Sequence, residues 1–281
     1  YVAASFVRSR HDVQQVRDFL DARGARDIKI ISKIENSEGI DNIDEILDAC
    51  DSIMIARGDM GVELPLQDLP AIQKLLIKKA ALKGKITITA TQMLESMIKN
   101  PRPTRAEVSD VANAIYDGTS AIMLSGETSV GRYPAQTVAT MASIAQVTEA
   151  DIDYEKRFAL IDWETEATSV TDAICHSVCS CAYRLGARTL LTLTQQGGTA
   201  LSVSRYRPAT GFVALTPSPK VFQQLSLCWG CTPMMLDNMD NLDSLLAAGI
   251  RSAKAAGLVQ KSDPVVLTGG LPLGSTGTTN M

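Results

Sequence analysis

This sequence has few histidines, no long apolar runs and no excess of basic residues. Only two histidines are present, His11 and His176, which argues against a His-based catalytic triad or a His-rich metal site. The longest apolar runs, such as 53–56 and 121–124, are far too short to cross a bilayer, so no membrane segment is expected. The formal net charge of −4 argues against a general nucleic-acid-binding protein, whose surface would be basic.

The length and composition are those of an ordinary globular protein. Hydrophobic residues make up 45% of the 281 positions and charged residues 21%, which excludes a disordered or collagen-like chain. At about 150 residues per domain, the length predicts about two domains. The chain starts at Tyr1 without a methionine and stops at Met281 after a loop, so we expect a piece of a longer protein.

Cysteine is present at six positions, and a chain of this length does not need disulfides to fold. We therefore expect a cytoplasmic protein with reduced thiols. Cys228 and Cys231 have the C-x-x-C spacing of zinc or redox sites, and Cys175 and Cys179 form a second close pair around His176. Because Cys175 and Cys179 share one helical stripe, we favour buried hydrophobic roles. A zinc site that joins the two regions is the alternative.

Short apolar runs alternate with amphipathic stretches along the chain, an order typical of parallel βα units. We predict strands at 2–7, 28–34, 52–56, 85–90 and 121–124, then at 189–194, 211–215, 232–236 and 264–267. Helices are predicted at 11–23, 39–49, 66–83, 104–116 and 134–148, with a short segment at 92–98, and then at 169–185, 200–207, 219–229 and 241–256.

Residues 149–166 interrupt this alternation, because acidic and aromatic residues mix there without a strong period. Five βα units precede the interruption. We therefore predict a first α/β domain at 1–150, a linker at 151–165 and a smaller α/β domain at 166–281.

Polar residues follow each predicted strand of the first domain. Active sites of parallel α/β folds lie at the carboxyl ends of the strands, so these residues are candidates for catalysis. Glu35 and Asp59 follow neighbouring strands, and such carboxylates hold Mg²⁺ together with substrate oxygens. Lys33 lies on the same strand face as Glu35, where its charge suits a transferring phosphoryl group. A surface ion pair is the alternative for Lys33.

Several loops after strands are candidates for binding anions. The sequence RGDMG at 57–61 allows close backbone approach to a ligand. Thr91 and Ser125 follow the next two strands, where a hydroxyl either binds substrate or caps a helix. The loops TQQGGT at 194–199 and GSTGTT at 274–279 together predict a clamp for one phosphorylated small molecule. Thr104 and Glu107 have the spacing of a capping box and predict a helix start.

Five segments together resemble the pyruvate kinase family. They are ISKIEN at 31–36, IARGDMG at 55–61, ATQMLESM at 90–97, PRPTRAE at 101–107 and IMLSGET at 122–128. The segments occur in the family's order and spacing, and the resemblance covers essentially the whole chain.

The resemblance implies a phosphotransferase of glycolysis that converts phosphoenolpyruvate and ADP to pyruvate and ATP. The implied fold is a partial (β/α)₈ TIM barrel, with about five of its eight strands in this chain, followed by a smaller α/β regulatory domain. Mg²⁺ or Mn²⁺ is the implied cofactor, and K⁺ is expected with ligands outside this chain. A cytoplasmic tetramer with a phosphorylated allosteric effector is also implied, and no nucleic acid or membrane is expected as a partner.

The same resemblance implies roles for single residues. Lys33 would stabilise the transferring phosphoryl group, and Glu35 and Asp59 would hold the divalent metal. Thr91 would bind substrate near the enolate, whereas Ser125 and Glu127 would relay a proton. The residues implied around the substrate carboxylate are Ala56, Arg57, Gly58 and Asp59. The residues implied in the effector loop are Thr194, Gln195, Gln196, Gly197, Gly198 and Thr199.

The sequence also departs from the family pattern. The match begins at what corresponds to the fourth barrel strand, so three strands, the lid domain, the monovalent-cation ligands and a phosphoryl-contacting arginine are expected outside the chain. A last strand is expected beyond Met281. We therefore predict that the isolated chain is inactive, and that its unpaired strand edges favour oligomers or retention of an N-terminal piece. In the effector loop, Gln196 and Gly198 replace the usual side chains, which leaves backbone amides as the expected ligands.

Two other functions are left open by the residues alone. A Mg²⁺-dependent lyase or aldolase of the enolate type also uses a Glu and an Asp on consecutive strands, although the second domain and SGET at 125–128 argue against it. A non-enzymatic protein whose second domain binds an effector is the other alternative.

Overall fold

The chain forms two compact units, Tyr1–Ile152 and Asp153–Met281, which we call unit 1 and unit 2. The structure is a computed structural model that describes residues 1–164, 169–236 and 242–270. Within these ranges, no helix combines the length and the apolar character that crossing a bilayer would require.

Unit 1 is built on a parallel sheet. Its strands are β1 Val2–Ala4, β2 Ile30–Ile34, β3 Ser52–Ala56, β4 Ile86–Ala90 and β5 Ala121–Met123. They pair in chain order, each parallel to the next, so their carboxyl ends lie along one edge. Every position of β3 and β4 is buried, as expected for parallel strands that are covered on both faces. The predicted strands of the first domain are confirmed, and β1 is shorter than predicted.

Helices connect these strands. They are α1 Arg10–Asp21, α2 Ser37–Asp41, α3 Ile43–Ala49, α4 Arg57–Glu63, α5 Leu69–Leu82, α6 Arg105–Asp117, α7 Gly126–Ser129 and α8 Pro134–Asp151. Two 3₁₀ turns, Leu66–Asp68 and Glu95–Ile98, complete the connections. The second of these turns lies in the short segment predicted at 92–98.

The ends of α6 are fixed by the signals that its sequence carries. The Thr104 hydroxyl accepts from the Glu107 amide at 3.2 Å, and the Glu107 carboxylate accepts from the Thr104 amide at 2.7 Å. This confirms the predicted capping box. Gly118 ends the helix at φ +97°, a left-handed conformation that glycine adopts without strain.

Unit 1 corrects the prediction of one continuous helix at 39–49. Two helices are present there, because Asn42 leaves the helical conformation between α2 and α3 (ψ 14°). Gly39 lies within α2 and packs closely against the backbone of Val7. A Cβ at position 39 would lie 2.5 Å from the Val7 carbonyl oxygen. The helices α4 and α7 were not predicted.

The larger of the two core clusters of unit 1 lies between the sheet and three helices. Ile34 and Ile53 of the sheet pack with Val13 of α1, Ile46 of α3 and Leu76 of α5, and each is at most 1% exposed. Burying one such side chain contributes about 1.5–3 kcal/mol. This packing fixes the strands and therefore the carboxyl edge that carries the site.

Unit 2 is a second parallel α/β layer. Its strands are β6 Thr189–Leu193, β7 Phe212–Thr216, β8 Cys231–Met235 and β9 Val265–Thr268, in the order β8-β7-β6-β9. Its helices are α9 Tyr154–Glu164, α10 Val170–Leu185, α11 Gly198–Arg205, α12 Pro219–Gln224 and α13 Leu242–Ala255. Strands are found at the four predicted places. The segment 151–165, predicted as a linker, contains α9.

Two of the three cysteines of α10, Cys175 and Cys179, are buried in unit 2. Cys175 and Cys179 pack in one cluster with Val178 and Ala182, which confirms their predicted hydrophobic role. Burial raises the pKa of the Cys175 thiol to about 12, so this thiol keeps its proton. Over the described ranges, no group of three or more His, Cys, Asp or Glu side chains is placed to hold a metal ion.

Candidate active site

The carboxyl edge of the unit 1 sheet collects the predicted site residues. The residues at or just beyond the strand ends are Ser5, Glu35, Arg57, Thr91 and Ser125. Because five parallel strands end at this edge, side chains from separate parts of the sequence come into one region.

Lys33 and Glu35 form an ion pair at the end of β2. The Lys33 Nζ lies 2.5 Å from Glu35 Oε1, and the Glu35 side chain is fully buried. The shared strand face predicted from their spacing is therefore present. Lys33 also donates to the Ser5 hydroxyl at 3.3 Å, so the ammonium bridges the ends of β1 and β2.

The two carboxylate oxygens of Glu35 have different surroundings. Oε2 accepts from the Phe6 amide at 2.5 Å. Oε1 is buried and accepts no hydrogen bond from the described residues, and the Lys33 ammonium balances its charge. Oε1 therefore already faces one cation, and a carboxylate oxygen is also the type of ligand that Mg²⁺ prefers.

Asp59 lies in the first turn of α4 and is exposed to solvent. Together with Glu35 it supplies oxygen donors from the ends of adjacent strands. Mg²⁺ and Mn²⁺ prefer oxygen ligands, and Mg²⁺ commonly takes one or two carboxylates while substrate and water fill the other positions. The donor set at this edge therefore fits such an ion, although it does not form an all-protein cage.

Arg57 binds protein groups with its guanidinium. Its Nη1 donates to Asp110 Oδ1 at 2.7 Å and to Gln73 Oε1 at 3.3 Å. Its Nη2 donates to the Thr91 carbonyl oxygen at 2.7 Å and lies 2.8 Å from the Met93 sulfur. The side chain thus links α5, α6 and the loop after β4.

Thr91 has a left-handed backbone, with φ +70°. A β-branched residue rarely adopts this conformation, because it costs free energy that contacts with the surroundings must offset. The Arg57 guanidinium holds its carbonyl oxygen, and its hydroxyl accepts from the Gly58 amide at 2.8 Å and donates to the Ala90 carbonyl at 2.6 Å. Strained backbone of this kind is concentrated at functional sites.

Ser125 is placed by a buried carboxylate. Glu127 is fully buried, and its Oε2 accepts from the Ser125 amide at 2.7 Å while its Oε1 accepts from the Leu94 amide at 3.1 Å. Glu127 thereby ties the loop after β5 to the loop after β4. Both of its oxygens face main-chain donors.

Gln73 and Asp110 support the site but were not assigned from the sequence. Gln73 is 5% exposed, and its side-chain amide donates to Asp117 Oδ2 at 3.0 Å while its carbonyl accepts from Arg57. The sequence does carry a signal for Gln73: it is a polar residue at the spacing that places it on the same face of α5 as the apolar Leu76 and Ile77. No comparable signal marks Asp110, because it lies among other polar residues of α6.

The predicted effector loop follows β6 in unit 2. The Thr194 hydroxyl accepts from the Gly197 amide at 2.9 Å, and Gly197 has φ +86° before α11 begins at Gly198. Gln195 and Gln196 are exposed. The second predicted loop, at 274–279, lies outside the described residues.

Comparison with known proteins gives one family for both units. The family model for the pyruvate kinase barrel domain matches residues 1–138, and the model for the pyruvate kinase alpha/beta domain matches residues 172–281. The sheet of unit 1 is therefore part of a barrel domain, as the fold interpretation predicted.

Similar proteins agree with the family models. A pyruvate kinase of Clostridium acetobutylicum is 50% identical over 100% of this chain and 59% of its own length. A pyruvate kinase of Geobacillus stearothermophilus is 48% identical over 100% of this chain and 48% of its own length. The crystal structure of a pyruvate kinase from Cryptosporidium parvum superposes with a TM-score of 0.92 at 38% identity, over 94% of this chain and 56% of that chain.

Proposed function

Because this chain belongs to the pyruvate kinase family, we propose that it is part of an enzyme that transfers the phosphoryl group of phosphoenolpyruvate to ADP, which gives pyruvate and ATP. The chain spans 59% and 48% of the lengths of the two bacterial relatives. The activity is therefore proposed for a whole enzyme that contains this chain. The observation that carries it is the ion pair at the carboxyl edge between the partly exposed Lys33 and the buried Glu35.

Charge stabilisation is the proposed role of Lys33. Phosphoryl transfer spreads negative charge over the oxygens of the moving group, and catalysis depends mainly on positioning and opposite charge. The ammonium is held by Glu35 and Ser5, so it is already oriented before substrate arrives. A preorganised charge of this kind needs little rearrangement during the reaction.

Glu35 and Asp59 are the proposed ligands of Mg²⁺ or Mn²⁺. A bound divalent ion would polarise the phosphoryl oxygens and offset their charge. Glu35 would use its buried Oε1, which accepts no hydrogen bond from the described residues. Asp59 would reach the same region from the exposed first turn of α4.

The junction between β3 and α4 is proposed to receive the substrate carboxylate, with Ala56, Arg57, Gly58 and Asp59 around it. The Gly58 amide already donates to Thr91 Oγ1 at 2.8 Å. A bound carboxylate would therefore share or replace this bond, and Thr91 would respond to substrate directly. Arg57 would act by holding Thr91, since its guanidinium contacts protein groups.

Proton delivery to the enolate is the proposed role of Ser125. Glu127 would serve the same step by fixing the Ser125 backbone, because both carboxylate oxygens accept from main-chain amides. The hydroxyl of Thr91, at the end of the adjacent strand, would bind substrate near the enolate.

Calorimetric titration with phosphoenolpyruvate and Mn²⁺ tests the proposed substrate site. We expect binding by the 281-residue chain, and at least tenfold weaker binding by the Lys33→Gln variant. The matched control is Lys79→Gln, which removes an ammonium from an exposed ion pair of α5. Absence of binding by the unmodified chain, or equal binding by the Lys33→Gln variant, would contradict the proposal.

Turnover distinguishes the proposal from a lyase. We predict no ATP formation by these 281 residues alone, because the sheet in the described part of unit 1 has five strands and a closed barrel has eight. A coupled assay for ATP tests this prediction, and ATP formation would contradict it. Cleavage of a 2-keto acid would instead favour the lyase or aldolase alternative.

Effector binding in unit 2 is a second proposed function, supported by the turn that Thr194 and Gly197 form. The amides of 194–199 would bind the phosphate of a small effector. We expect calorimetric heat with a sugar phosphate or AMP, and its loss in the Gly198→Asp variant. A Cβ at Gly198 meets nothing within 4 Å, so this variant should fold, and Thr210→Asp in an exposed loop is the control. Absence of heat with all ligands would refute this function.

The other properties implied by the family are also proposed for this protein. They are dependence on K⁺, a cytoplasmic location and assembly into a tetramer. Within the described residues, β1 pairs with β2 alone and β5 with β4 alone, and such free strand edges favour association.

A further inference from the structure

The C-x-x-C motif of unit 2 has no part in the proposed function. Cys228 follows a 3₁₀ turn, Leu225–Leu227, and Cys231 begins β8. Both thiols are free. Their surroundings differ from those of the other close pair, Cys175 and Cys179, which lie in the interior of α10.

A β-turn brings the two cysteines together. The Cys231 amide donates to the Cys228 carbonyl at 3.3 Å, and Gly230 between them has φ +66°. A left-handed residue at the third position is typical of a type II turn, whose end Cα atoms lie within about 7 Å of each other. Disulfides join Cα atoms about 4.4–6.8 Å apart, so the turn has the reach that a disulfide requires.

Neighbouring groups hold this turn in place. The Ser204 hydroxyl donates to the Trp229 carbonyl at 2.9 Å, and the Phe212 amide donates to the Gly230 carbonyl at 2.8 Å. The Arg207 guanidinium lies 4.8 Å above the Trp229 ring. The turn is therefore preformed, and closing a bond across it would order little additional backbone.

The two sulfurs face the same core but differ in exposure. Cys228 is 5% exposed within the main cluster of unit 2, and Cys231 packs against that cluster while remaining partly exposed. The Cys228 thiol donates to the Ala200 carbonyl oxygen at 3.9 Å. An oxidant can therefore reach Cys231 more readily than the buried Cys228.

The pKa shifts of Cys228 and Cys231 also differ from those of the pair in α10. The hydrogen bond from Cys231 holds the pKa of Cys228 below its usual value against the effect of burial, with help from Ser204 and the Arg207 charge. The same hydrogen bond raises the pKa of Cys231. Burial instead raises the pKa of Cys175 and of Cys179.

We propose that Cys228 and Cys231 form a reversible dithiol–disulfide site that hydrogen peroxide oxidises. A proton passes from Cys231 to Cys228, and the Cys231 thiolate then attacks one peroxide oxygen, which gives a sulfenic acid and, after protonation, water. The Cys228 sulfur then attacks the Cys231 sulfur, forms the S–S bond and releases a second water. Two thiols and one peroxide thus give one disulfide and two waters, and a dithiol reductant reverses the change by exchange.

Differential alkylation of the 281-residue chain tests this site. The protein is treated with hydrogen peroxide at neutral pH, quenched, unfolded and alkylated with N-ethylmaleimide before tryptic mass spectrometry. Cleavage after Lys220 and Arg251 puts both cysteines in one peptide. We expect this peptide to lose both alkylation sites together and to regain them after dithiothreitol. Cys175 and Cys179 should stay alkylated in the same sample.

Single variants check the order of the two steps. In Cys228→Ser, we expect a sulfenic acid on Cys231 that dimedone traps, and in Cys231→Ser we expect the buried Cys228 to stay reduced. Cys181→Ser, which removes another partly exposed cysteine, should still form the disulfide and is the matched control. Full alkylation of the unmodified chain after peroxide, or equal protection at Cys175 and Cys179, would overturn the proposal. This test is independent of phosphoryl transfer.

Discussion

Single residues at the carboxyl edge of unit 1 are held by contacts that span long sequence distances. The Arg57 guanidinium is the centre of one such set, with Asp110 on α6 and the strained Thr91 as its partners. Because its side chain is 12% exposed, water compensates poorly for a lost bond. The site should therefore be sensitive to changes at Asp110, which takes no part in the proposed chemistry.

Replacing Asp110 with Asn should destabilise unit 1. The change leaves the largely buried Arg57 without an anionic partner, and we expect a loss of about 1–3 kcal/mol in the free energy of unfolding. Urea denaturation measures this loss. Asp44→Asn is the control, because its ion pair with Lys79 is exposed and should contribute less than about 1 kcal/mol. Equal losses in the two variants would contradict the account of Arg57.

Residue-scale prediction succeeded where spacing alone fixes geometry. Lys33 and Glu35 lie two positions apart in one strand, so their shared face followed from the strand period. The left-handed Thr91 and its bond to the Gly58 amide were not predictable, since they depend on contacts across 33 positions. The anchoring bonds of Glu127 likewise depend on the fold around it.

Among the elements, strands were easier to predict than short helices. The buried strands of unit 1 are apolar or β-branched at most positions, which gives a clear signal. The helices α4 and α7 have 7 and 4 residues, too few for an amphipathic period to be read. The helix α9 was missed because its acidic and aromatic residues show no regular apolar face.

The capping box of α6 provides a direct stability prediction. Thr104→Ala should lower the free energy of unfolding by about 1 kcal/mol, because the Glu107 amide loses its acceptor. Ser109→Ala, at an exposed position of the same helix, should be neutral or slightly stabilising. Chemical denaturation of both variants tests the prediction, and an unchanged Thr104→Ala protein would contradict it.

The pH dependence of the same helix end follows from Glu107. Burial opposes its ionisation, but hydrogen bonds from Ser96 and Thr104 outweigh this effect and lower its pKa below the usual 4.5. A lowered pKa in the folded state stabilises the protein above about pH 4.5 and stops doing so as the pH falls through the lowered value. The stability gap between the unmodified protein and Glu107→Gln should therefore shrink in acid. A gap that is constant from neutral to acid pH would contradict this.

The whole molecule has two units, each with its own sheet and core clusters. Both tryptophans, Trp163 and Trp229, belong to unit 2, so tryptophan fluorescence reports on that unit, whereas far-UV circular dichroism reports on both. We expect the two signals to give different urea midpoints, because separate cores do not require one cooperative transition. Coincident transitions would show a single cooperative unit.

Fold and family were predictable at the scale of the molecule because several short motifs occur in a fixed order. Four of the five motif segments span the ends of the consecutive strands β2 to β5, and the structure places those strand ends along one edge. The motifs could not indicate the distances within the site. Those depend on how α5 and α6 position Gln73 and Asp110 against Arg57.

Manganese binding tests the central claim, that Glu35 and Asp59 hold one divalent ion at this edge. Electron paramagnetic resonance measures free Mn²⁺ during titration of the chain with and without phosphoenolpyruvate. We predict bound Mn²⁺ that phosphoenolpyruvate strengthens, and at least tenfold weaker binding in both Glu35→Gln and Asp59→Asn. Asp18→Asn on the exposed face of α1 should bind like the unmodified chain. Undiminished binding in either site variant would contradict the claim.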